Sequence, residues 1–113
     1  MDISRRTLEA GVHLVKIDGP LNSSLAGKIK QTFRDTHKQG ARHLIVDLKD
    51  VPFMDSSGLA ALVAGLKIFN SNARNFCLVA PQTQPKLLFE LTGFDSVFQV
   101  FDNVAEALNP GAV

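Results

Sequence analysis

The chain has 113 residues, 45% of them hydrophobic and 20% charged, which is the size of one domain and the balance of a folded globular protein rather than a disordered one. Its formal net charge of +1 supplies no field that would draw in nucleic acid or an anionic membrane, and neither is expected as a partner. A single cysteine, Cys77, excludes an internal disulfide and any multi-cysteine metal site.

Met1-Asp2-Ile3-Ser4-Arg5-Arg6 leads into no hydrophobic run, so it does not read as a secretory signal. Two short strands are expected next, from about Ile3 to Leu8 and from Val12 to Ile17, joined as a hairpin with Gly11 at the turn. In the second, Val12, Leu14 and Lys16 share one face and His13, Val15 and Ile17 the other. Gly19-Pro20 ends it. Leu21, Leu25, Ile29 and Phe33 then recur every four residues, the mark of a helix with one buried face. Ser23 or Ser24 can cap its start, and Gly40 marks its end. The basic residues Lys28, Lys30, Arg34, Lys38 and Arg42 alternate with apolar positions and read as a solvated face.

His43-Leu44-Ile45-Val46-Asp47-Leu48 is a nearly continuous apolar strand, the kind covered on both faces of a sheet that contains parallel strands. A connection through Asp55 leads into a helix of about four turns, with Leu59, Leu62, Val63, Leu66, Phe69 and Asn70 on one side. Its opposite face carries Ala61, Ala64 and Ile68 where charges would be usual, with no charge before Lys67, and reads as a smooth patch that a partner could cover. Phe76 to Val79 is a further buried strand, in which Cys77 is a small buried hydrophobe. Thr83-Gln84-Pro85 opens a short helix containing Leu87, Leu88 and Leu91, and Gly93 caps its end. Val97 to Phe101 is the last strand. Asn103 with Glu106 resembles a capping box for a final helix through Leu108, and Asn109 to Val113 reads as a loose tail. The order is ββαβαβαβα: one α/β domain with a mixed sheet of about five strands, an N-terminal hairpin and about four flanking helices. No apolar stretch approaches the ~20 residues of a bilayer span, so a cytoplasmic protein is expected. His13, His37 and His43 stand apart, and neither a metal site nor a cofactor is expected.

Phe53-Met54-Asp55-Ser56-Ser57-Gly58-Leu59 is the segment whose composition exceeds what packing requires. Capping a helix needs one Asp or Ser, and three stand in a row here. The start of a helix also offers free N–H groups and the positive end of its dipole, so a phosphate on Ser56 could be held there, with Gly58 keeping the first turn clear. Cap and functional site both remain open on spacing alone, and local chemistry admits either Ser56 or Ser57.

The run Val46-Asp47-Leu48-Lys49-Asp50-Val51-Pro52-Phe53-Met54-Asp55-Ser56-Ser57-Gly58-Leu59 closely resembles the signature of STAS-domain anti-sigma factor antagonists. Support comes from the Gly-containing turn before the first helix, from Lys86-Leu87-Leu88-Phe89-Glu90-Leu91-Thr92-Gly93 and from Val97-Phe98. The resemblance implies a STAS-like domain over residues 1–109, with 110–113 as tail, and a non-enzymatic role in partner switching. It implies that Ser56 is phosphorylated by an anti-sigma factor that is also a serine kinase, and dephosphorylated by a PP2C-type phosphatase. The unphosphorylated form would bind the kinase and free a sigma factor or an equivalent target. Asn22, Ser23, Ser24, Met54, Asp55, Ser56, Ser57, Gly58 and Ala61 are the implied partner-binding residues. Gly19-Pro20-Leu21-Asn22 departs from the family's Gly-Glu-Leu-Asp-like turn: Asn22 keeps the capping ability and loses the charge.

A receiver domain would need an acidic pair after its first strand, and none is present. A serine hydrolase would need Gly-x-Ser-x-Gly and a histidine downstream of it; the chain reads Met54-Asp55-Ser56-Ser57-Gly58, and His43 is its last histidine. The alternative within the same superfamily is a non-switching scaffold or a regulatory piece of a signalling or transport complex.

Overall fold

Alternating side chains in the first twenty residues close an antiparallel hairpin, and the buried runs that follow add parallel strands to its second arm. In the computed structural model, which describes residues 2–70 and 74–109, β1 (Ile3–Glu9) pairs with β2 (Val12–Asp18), and Gly11 turns between them at φ +77°. β2, β3 (His43–Asp50), β4 (Asn75–Val79) and β5 (Gln99–Phe101) then run parallel, in the spatial order β1-β2-β3-β4-β5. The connections are α1 (Ser23–Lys38), α2 (Ser56–Ile68) and α3 (Thr83–Thr92) with a 3₁₀ turn at Phe94–Ser96; α4 (Val104–Leu108) follows β5. The expected order ββαβαβαβα and the five-stranded mixed sheet are the fold observed.

The two-residue period of β3 sorts the core. Leu44, Val46 and Leu48 point to the face covered by α1, α2 and α3, while Ile45 points to the other, which α4 covers with Ala107. β4 divides likewise, Phe76 and Leu78 against Cys77 and Val79. Val15 and Ile17 of β2 lie on the helix side and Val12 and Leu14 on the other, as the alternation required. On the helix side an aromatic cluster gathers around Phe98: Phe89 at 5.5 Å, Phe94 at 5.8 Å and Phe76 at 6.4 Å between ring centroids. Cys77 is buried, as expected, and the lack of water around it pushes its thiol up to about 12.

Several expectations need correction. The cap of α1 is Asn22, not Ser23 or Ser24; its side chain accepts from the Ser24 N–H at 3.1 Å. On α2 the outward face is misassigned. Ala61 is fully buried, Asn70 is exposed, and Ala64 and Ile68 are half-buried. The inward stripe is Gly58, Ala61, Leu62, Gly65 and Phe69, whose small members let α1 approach closely. A Cβ added at Gly65 would stand 2.6 Å from the rings of Phe33 and Phe76. On α3, Leu87 and Leu91 are exposed at 50% and 76%, while Pro85 and Phe89 are buried. Both pairs have helical spacing, and the aromatic cluster selects the one containing phenylalanine. β5 starts at Gln99 rather than Val97, because the N–H groups of Val97 and Phe98 bond back to the Phe94 carbonyl at 3.0 Å. The tail, 110–113, lies outside the described residues.

Candidate functional site

The site forms where β2 and β3 end and α1 and α2 begin. Beyond the last paired residues of these strands, Leu21 and Met54 make a single parallel bridge. The Leu21 N–H donates to the Phe53 carbonyl at 2.9 Å, and the Leu21 carbonyl accepts from the Asp55 N–H at 3.3 Å. The bridge sets the N-terminal ends of α1 and α2 side by side, and so joins Asn22, Ser23 and Ser24 to Met54, Asp55, Ser56, Ser57 and Gly58. The two predicted groups, far apart in sequence, thus meet on one end of the sheet, the carboxyl end of its parallel strands.

Asp55 caps α2 from an extended backbone (φ −111°, ψ −172°). Its Oδ1 accepts from the Gly58 N–H at 3.0 Å, and its carbonyl accepts from the Leu59 N–H at 2.9 Å. Among the described residues no acceptor takes the Ser56 or Ser57 N–H, so two donors and the positive end of the helix remain available at this terminus. Ser56 is exposed; Ser57 is half-buried. Gly58 is obligatory for a steric reason: a Cβ there would lie 2.2 Å from the Leu21 carbonyl oxygen. The bridge and the first turn of α2 share a space that only glycine leaves open.

Met54 is 1% exposed, so its side chain belongs to the core, and Gly58 and Ala61 are buried as well. Among the residues expected to meet a partner, these three shape the site from beneath rather than forming its surface. The outer stripe of α2 is Ser56, Ala60, Val63, Ala64 and Lys67, which with Leu59 and Phe94 lines an open groove of about 390 Å³. Phe53, in the connection that leads into α2, is 47% exposed.

Sequence reasoning missed four contributors. Leu21 acts through its backbone, which periodicity does not report. Gln84 bonds both backbone groups of Met54, and Gln82 bonds the Lys49 carbonyl, across about thirty residues of chain. Phe94 supplies a wall of the groove from the turn after α3. Gln84 stands in the Thr83-Gln84-Pro85 helix start, where its pattern shows a helix opening and nothing of its reach to Met54. Among the described residues there is no cluster of potential metal ligands and no helix long and apolar enough to cross a membrane.

Residues 6–107 match the STAS domain family. The anti-sigma-B factor antagonist of Staphylococcus aureus is 29% identical over 86 residues, 76% of this chain and 80% of that protein. The crystal structure of an anti-sigma factor antagonist from Mycobacterium paratuberculosis superposes with a TM-score of 0.81 at 26% identity, covering 95% of this chain and 93% of that one. The anti-sigma factor antagonist SpoIIAA has the same fold in its unphosphorylated form, with a TM-score of 0.82 at 19% identity and 98% of each chain covered. The phosphorylated form of SpoIIAA superposes with a TM-score of 0.75 at 18% identity, over 97% of this chain and 99% of that one.

Proposed function

From the premise that this chain belongs to the STAS domain family, we propose that it is a phosphorylation-controlled antagonist of an anti-sigma factor, with Ser56 as the phosphoacceptor. The observation that carries this reading is the placement of Ser56: an exposed hydroxyl on the first residue of α2, beside two free N–H groups and at the end of an apolar groove. Ser57, half-buried, is the weaker candidate. The names of the Staphylococcus aureus and Mycobacterium paratuberculosis relatives support the same role.

The switch follows from charge. Unphosphorylated, the end of α2 offers a neutral hydroxyl and an uncharged stripe through Ala60, Val63 and Ala64. An anti-sigma factor with serine kinase activity docks there and is held away from its sigma factor. Phosphate adds about −1.5 to −2 charges to Ser56. The free N–H groups and the helix dipole offset part of that charge, so the fold persists. In the complex the same charge would be desolvated, beside Asp55 and against a partner shaped for a hydroxyl, at a cost of a few kcal/mol. Such a cost lowers affinity by ~100-fold or more and releases the partner, and a PP2C-type phosphatase restores the binding form. No catalysis by this chain is involved. The proposed role places the protein in the cytoplasm, together with the anti-sigma factor it binds.

The test compares wild type with Ser56→Asp as baits in lysate of the encoding organism. The protein retained by wild type and lost by at least ~100-fold with Ser56→Asp is the partner. Incubated with ATP, it should add one phosphate, mapped by mass spectrometry to Ser56. Equal capture by both baits, or a phosphate on Ser57, would overturn the proposal.

A further inference from the structure

The first turn of α3 reaches across to the connection between β3 and α2, and the switch described above makes no use of it. The Gln82 Nε2 donates to the Lys49 carbonyl at 2.7 Å, near the start of that connection. Gln84 grips its end with both halves of its amide: Oε1 accepts from the Met54 N–H at 2.8 Å, and Nε2 donates to the Met54 carbonyl at 2.9 Å. On the opposite edge of the same segment lies Leu21, bonded to the Phe53 carbonyl and the Asp55 N–H. Met54 is therefore a one-residue strand between two neighbours, the backbone of Leu21 and a side-chain amide standing in for a third strand. β4 cannot supply those bonds, since its pairing with β3 ends at Asp47 and Val79.

On the reading of Ser56 as the modified residue, we infer that Gln84 is the positioning residue of the phosphoacceptor loop. It holds Met54 and Asp55 in the extended conformation from which α2 starts, and so fixes where Ser56 is presented. A primary amide suits the task because it carries one acceptor and one donor side by side, as a backbone pair does. A carboxylate could only accept and would face the Met54 carbonyl oxygen; methionine, of similar length, could do neither.

Amide hydrogen exchange on the chain alone tests this without any partner. Gln84→Met should speed exchange of the Met54 N–H by about tenfold or more, with a smaller increase at Gly58 and Leu59, while the centres of β3 and α1 stay as in wild type. Gln84→Glu separates positioning from space-filling. Its carboxylate loses the bond to the Met54 carbonyl, but its protonated form can make both, so protection at Met54 relative to wild type should recover as pH falls. Gln84→Met should also bind the partner captured by wild type about tenfold more weakly. Unchanged protection at Met54, Gly58 and Leu59, or unchanged affinity, would overturn the inference, as would a Gln84→Glu defect independent of pH. Failure of the phosphorylation reading shows separately, as capture unaffected by Ser56→Asp.

Discussion

Ser56, Asp55 and Gly58 divide the work at the start of α2. Asp55 ends the extended segment and takes the Gly58 N–H, Ser56 stands exposed one residue on, and Gly58 has no side chain because the Leu21 carbonyl occupies that space. The adjacent serines are distinguished by exposure rather than by chemistry, a property of the tertiary surface. The glycine yields the sharpest prediction at this scale. Gly58→Ala should destabilise the fold by about 2 kcal/mol or more, since the clash at 2.2 Å is with backbone that cannot rotate away. Urea denaturation measures the loss; a change under ~0.5 kcal/mol would show that the Leu21–Met54 bridge yields easily.

Among the elements, α1 and α2 are built alike, each capped by a side-chain oxygen of a residue that leaves the sheet in extended conformation. Asn22 serves α1 as Asp55 serves α2. Its lack of charge, unusual for the family resemblance, costs the cap nothing, since Asn and Asp cap helices equally well. Asn22→Ala should lower stability by about 1 kcal/mol, whereas Ser23→Ala, on an exposed residue without a cap bond, should change it by less than ~0.5 kcal/mol. Thermal unfolding of the two variants side by side decides which residue is the cap. Element identity was legible from periodicity, but the facing of α2 was not. Its apolar and small residues run almost all the way round, so the helix carries little directional signal, and Ala61 could be placed outside only because nothing in sequence opposed it.

At the scale of the molecule, the sheet separates two cores of unequal size, the larger under α1, α2 and α3, the smaller under α4. Cys77 lies in the smaller core, where burial pushes its thiol from 9.0 up to about 12. The unfolded chain therefore loses this proton first as pH rises. The stabilisation from a neutral buried thiol is complete below pH 9 and is lost as pH climbs toward 12. The stability difference between wild type and Cys77→Ala should thus shrink over that interval and stay constant below it. Denaturant titrations at a series of pH values check this, and a difference independent of pH up to 12 would mean that water reaches the thiol.

The order of elements, the hairpin and the parallel strands were determined by sequence alone, because two-residue and four-residue periodicities are local and each favours one backbone. The Asp55-Ser56-Ser57-Gly58 segment was also legible, since its polar density at a strand-to-helix junction exceeds what capping needs. Tertiary structure decided the rest. It brought Leu21 against Met54, turned Ala61 inward, chose Phe89 over Leu87 and Leu91 for the core, and supplied Gln84 from thirty residues away. Each of these depends on which surfaces meet, and a linear pattern carries no information about backbone carbonyls or side-chain amides that pair only after the sheet has assembled.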